Sequence, residues 1–159
     1  LLRWAQNPRH ELAAQRCALL VAGLGPASAR RLLGALARDG SPAEAVAGFE
    51  PPPSAAADWP LLAALWHDLH RGTLPWPAAF DAVLHWYRPQ LERLHDDAAV
   101  RWADLQALRP MALAQPSRER FLAELTLDPP QSSSDEAGPP LRDEDYLILS
   151  TLHAAKGQE

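Results

Sequence analysis

Lysine is nearly missing from this chain. Its 159 residues hold one, Lys156, against fourteen arginines. Together with abundant alanine and proline, that bias points to a GC-rich, bacterial coding sequence. Cysteine is equally scarce. A lone Cys17 excludes an internal disulfide and a cysteine-based zinc site, and it fits a reducing cytoplasm. It lies on a helical pattern between Leu12 and Leu20 and reads as a buried thiol. No run reaches the roughly 18 apolar residues of a membrane span, and the first residues carry no basic-then-apolar signal pattern. There is no Gly-x-x-x-x-Gly-Lys-Ser/Thr phosphate loop and no Asp-Glu pair after an apolar strand to hold Mg²⁺. No catalytic residue is therefore expected here. His67 and His70 are three apart on a helical pattern, but no third ligand joins them, so no metal site is expected.

What is present is unevenly placed. The net charge is −5, which does not favour a nucleic-acid binder. Residues 1–38, however, carry six arginines (Arg3, Arg9, Arg16, Arg30, Arg31, Arg38) against Glu11 alone. Residues 128–145 carry six acids against Arg142. One end is locally basic, as phosphate binding requires, and the acidic stretch reads as a solvated linker.

Apolar spacing predicts an all-α body over residues 1–127. A helix end at Leu1–Gln6 leads to Asn7 as N-cap and Pro8 as first helical residue. Leu12, Cys17, Leu19 and Leu20 give the next helix its apolar face. Further helices are expected at 27–37, from the capping-box pattern Ser41-Pro42-Ala43-Glu44 to about Ala47, at 59–70, and from Thr73 or Trp76. Pro89 is expected to break or kink that last one. Others follow from Asp96 and from Ser117. Trp66, Trp76, Trp86 and Trp102 read as core. Residues 128–144 read as a flexible linker of Pro, Ser, Gly and acid. Asp145–Ser150 reads as one buried strand without a partner. An apolar residue at position 1 and an unpaired strand together predict a piece of a longer chain.

Two stretches carry chemistry. In Leu20-Val21-Ala22-Gly23-Leu24-Gly25-Pro26, one helix ends and another begins at once. The glycines permit positive φ and close approach, Pro26 suits a first helical turn, and Leu24 is placed to pin the two helices. Backbone N–H groups at the new helix's positive end make an anion site, with Arg30 and Arg31 one turn on. The stretch resembles a helix–hairpin–helix, which grips DNA backbone without reading sequence. An ordinary tight αα turn is the alternative. The second stretch is Thr151-Leu152-His153-Ala154-Ala155-Lys156-Gly157-Gln158-Glu159, directly after the expected strand.

That second pattern, Thr-x-His-x-x-Lys-Gly-x-Glu, resembles motif V of superfamily 1A DNA helicases, the UvrD/Rep/PcrA group. Gln158 is a mild departure from the usual leucine. Asn7 to Arg16 followed by Gly23-Leu24-Gly25 resembles the opening of that family's 2B domain, with Glu11 departing slightly. About residues 40–127 match only in length and helical character. The resemblance implies a helical 2B-like domain at 1–127, the linker at 128–144, and a strand plus motif V at 145–159 belonging to the RecA-like 2A domain. It implies that Gly23, Leu24, Gly25 and Arg30 or Arg31 contact duplex backbone near the fork. It places Thr151, His153 and Lys156 near the single strand, and Gly157 and Glu159 at the nucleotide. The parent would use ATP and Mg²⁺ to drive 3′→5′ unwinding, and its partners would be duplex and junction DNA and repair or replication proteins. The competing expectation is a helical protein–protein module with no DNA contact; a third is a stand-alone hairpin DNA-binding protein.

Overall fold

A short first helix, α1 (Leu2–Gln6), buries Leu2, Trp4 and Ala5. It is the hub on which later helices pack. The computed structural model describes residues 1–38 and 40–127, and these form eight α-helices and one 3-10 turn with no strand among them. After α1 come α2 (Glu11–Leu19), α3 (Pro26–Leu36), α4 (Pro42–Ala47) and the 3-10 turn Pro53–Ala55. Then follow α5 (Trp59–Arg71), α6 (Ala78–Leu94), α7 (Ala98–Ala114) and α8 (Arg118–Leu127). The all-α expectation holds for this body. The expected linker, strand and motif V segment lie outside the described residues.

One aromatic column organises the centre. Trp4 meets Trp66 of α5 at 5.1 Å between ring centroids. His70, one turn on, stacks over Trp66 at 4.9 Å and 14°, with its Nδ1 3.1 Å from the Ala5 carbonyl. α5 buries Trp59, Leu62, Trp66 and Leu69 along one stripe and stops at Gly72, whose φ of +70° is left-handed. A second cluster joins α6 to α8, where Phe121 packs against Trp76 and Phe80. Of the tryptophans read as core, Trp66 is fully buried; Trp76, Trp86 and Trp102 are half-buried and packed against the core.

Several local expectations shift. α2 starts at Glu11, not at Pro8. Asn7 spends its side chain accepting from the Arg9 N–H, and the Pro8 carbonyl accepts from Trp4 Nε1. His10 is the N-cap instead, its Nδ1 accepting from the Ala13 N–H at 3.2 Å. The buried face of α2 is Ala14, Cys17 and Ala18, while Leu12 and Leu19 are exposed. Small residues let α2 lie close against the core, which leaves the leucines outside. Pro89 and Pro110 both lie inside continuous helices. Among the described residues, α1 and α8 are in contact, so the body starts and finishes in one place. Arg3 Nη2 donates to Thr126 Oγ1 at 2.5 Å across that junction.

Candidate nucleic-acid interface

The turn between α2 and α3 is built from residues 20–25. Leu20 and Val21 close the end of α2 by bonding back to Cys17 and Ala18. Gly23 then takes φ +76°, and the chain reverses. Val21 and Leu24 turn inward and are buried, so the apolar side chains of the turn fasten it to the core. Gly25 is the N-cap of α3, in an extended conformation, and Pro26 is its first residue.

The two glycines have different neighbours. A Cβ at Gly23 would lie 2.4 Å from the Ser54 carbonyl oxygen, and Ser54 Oγ donates to the Gly23 carbonyl at 3.0 Å. The 3-10 turn after the proline run therefore braces the inner side of the hairpin. At Gly25 no described residue lies within 4 Å of where a Cβ would be, so that side is open among the described residues. The first backbone bond of α3 is Ala29 N–H to the Gly25 carbonyl. The N–H groups of Gly25, Ala27 and Ser28 have no hydrogen-bond acceptor among the described residues. They carry the positive end of the α3 dipole outward.

The arginines divide unevenly, and Arg71, Arg93 and Arg120 have no carboxylate partner among the described residues. Arg88, Arg101, Arg109 and Arg118 are each paired with a carboxylate: Glu92, Asp97, Asp81 and Glu119. None of the six arginines in residues 1–38 has a carboxylate partner among the described residues. Arg30 is exposed beside the turn, and its side chain makes no hydrogen bond to a described residue. Arg31 is committed elsewhere. It lies over the Phe49 ring at 5.6 Å and donates to the Glu50 carbonyl, tying α3 to the segment after α4. Pattern reading missed Arg93 of α6. Its Nη2 donates to the Leu20 carbonyl at 2.6 Å and to Gln90 Oε1 at 3.1 Å. Its distance in sequence from the turn, 73 residues, left no signal in any local pattern.

An apolar groove of about 470 Å³ runs between α1, α2, α6, α7 and α8. Leu12, Cys17, Phe80, Leu122 and Leu125 line it, with Arg3, Arg16 and His10 among them. No set of three His, Cys, Asp or Glu residues able to hold a metal ion exists among the described residues. No described helix is long and apolar enough to cross a membrane. Of the residues singled out in the sequence, Gly23, Leu24, Gly25, Arg30 and Arg31 belong to this end of the molecule. Thr151, His153, Lys156, Gly157 and Glu159 lie outside the described residues. In comparisons with known proteins, no family model matches the chain, and neither a curated protein nor a solved structure matches it.

Proposed function

We propose that residues 1–127 are an accessory domain of an ATP-dependent 3′→5′ DNA helicase, holding duplex backbone near the fork through the α2–α3 hairpin. The observation that carries this is the face at Gly25, where the N–H groups of Gly25, Ala27 and Ser28 have no acceptor among the described residues and Arg30, one turn on, has no carboxylate partner among them. A phosphate fits such a face through backbone donors, which fix position and carry no sequence information. Leu24 has the role of a buried pin rather than a contact, and Arg31 orders the basic end from within. The adjoining ends of the body suit insertion into a second domain. In this reading Thr151, His153 and Lys156 serve the single strand, Gly157 and Glu159 the nucleotide. ATP hydrolysis with Mg²⁺ belongs to the rest of the parent.

The test is Gly25→Asp. Aspartate is a favoured N-cap, so the variant keeps or gains thermal stability while placing a carboxylate where phosphate would lie. Fluorescence anisotropy with labelled duplex, single strand and fork at low salt should show salt-sensitive duplex or fork binding that the variant weakens about tenfold or more. Binding indifferent to Gly25→Asp defeats the proposal. The second reading, a helical docking module without DNA contact, has the apolar groove in its favour, and absence of binding at tens of micromolar would turn the balance to it.

A further inference from the structure

We infer that Arg93, from α6, is a further phosphate-contacting residue of the hairpin face, a conclusion that rests on the DNA reading of that face. The guanidinium is fixed by two neutral acceptors, the Leu20 carbonyl and Gln90 Oε1, and both bonds use Nη2. Nε and Nη1 have no hydrogen-bond partner among the described residues. Gln90, the anchor, is itself buried, so the fork is held from a rigid base. Of the carboxylates near it in the chain, Glu92 pairs with Arg88 and Asp97 with Arg101, and the exposed Asp96 forms no ion pair with Arg93. Arg93 thus has no carboxylate partner among the described residues and is exposed to solvent at the end of α2.

This arrangement has two consequences. As a cap on the last turn of α2, Arg93 satisfies a carbonyl that the helix leaves unpaired. As a cation fixed to residue 20 of the turn, it offers single N–H donors from Nε and Nη1 at the α2 end of the segment whose α3 end carries the backbone N–H groups of Gly25, Ala27 and Ser28. Arginine suits this double duty because Nη2 can be held by protein while the separate Nε–H and Nη1–H donors are left for phosphate oxygens. Lysine keeps the charge but lacks the planar, separately directed donors.

The experiment uses the 159-residue chain with Arg93→Gln and Arg93→Lys, beside wild type and Gly25→Asp. Each is titrated into labelled duplex by anisotropy between 50 and 200 mM salt, in parallel with thermal melts. Arg93→Gln should weaken binding about fivefold at the lower salt and make the salt slope of log K shallower by about one. Arg93→Lys should recover part of the affinity and all of the slope. A merely structural cap would lower the melting temperature in both variants and leave the slope unchanged, which would overturn the inference. If wild type binds, Gly25→Asp abolishes binding and Arg93→Gln changes neither affinity nor slope, the hairpin reading stands and the role of Arg93 falls alone. If wild type does not bind, both fall.

Discussion

At the residue scale, the two glycines of the hairpin do different work, and this separates fold from contact. Gly23 is required by the protein itself. Its φ is +76°, and an added Cβ would meet backbone at Ser54. Left-handed backbone costs an alanine about 1–2 kcal/mol, and the Ser54 loop must also move. Gly23→Ala should therefore destabilise by roughly 2 kcal/mol or more, seen as a fall in melting temperature of about 5–10 °C. Gly25→Ala should be milder, within about 1 kcal/mol, because φ is −84° and the space is open; it gives up only the N-cap preference of glycine over alanine. Equal losses at both positions in thermal melts would mean that the Ser54 brace is not what demands Gly23. A Gly-x-Gly pattern in sequence cannot make this distinction, since the proline-rich segment that meets Gly23 lies thirty residues on.

At the element scale, what was legible depended on whether local chemistry or packing decided the outcome. The stripe of α5 and its stop at Gly72 could be read directly, because Leu62, Trp66 and Leu69 recur at helical spacing and glycine ends the helix. α6 could not. Pro89 removes a backbone N–H and should break the helix, yet burial of Leu84, Gln90 and Leu91 on both sides holds it continuous. Arg88 also reaches past the proline to donate to Glu92 and lies over Trp102. Arg31, legible as a charge near the turn, was not legible as a side chain already engaged by Phe49. α5 also carries a pH response. His67 Nδ1 is buried without a hydrogen-bond partner among the described residues, and the imidazole's pKa is lowered, first by burial and then by Arg71 and His70, with Asp68 opposing. A depressed pKa means that the unfolded chain binds the proton more readily. The stability His67 contributes is present above its unfolded value, about 6.5, and is lost as pH falls below it. The carboxyls of Asp97 and Glu119, held low chiefly by hydrogen bonds, respond the same way but only in more acid solution. Melting temperature should therefore fall between pH 7.5 and 5.5, and His67→Gln should flatten that slope. An unchanged slope in the variant would assign the response to another group.

At the scale of the whole molecule, the decisive feature is that the described chain returns to its start. α1 packs on α2, α5 and α8, and Phe121 of α8 is buried against Trp76 and Phe80. The last helix thereby completes the core that the first began. Nothing in the sequence of α1 or α8 announces that closure, because Leu2, Trp4 and Phe121 acquire their partners only once α5 and α6 are in place. A body closed in this way tolerates connection at a single point on its surface, which is the geometric condition for insertion into another domain. It should equally tolerate being cut elsewhere. A circular permutant that joins residue 127 to residue 1 through about six Gly/Ser residues, and opens between His95 and the exposed Asp96, keeps all eight helices intact. Moving a short loop from one place to another changes closure entropy by no more than about 1 kcal/mol. The permutant should melt cooperatively within about 5 °C of an unpermuted 1–127 chain and give the same helical circular dichroism. A permutant that fails to fold, when lengthening the joining linker to about twelve residues does not rescue it, would mean that the ends of the body are held apart in solution. The support that geometry lends to an inserted domain would then be gone.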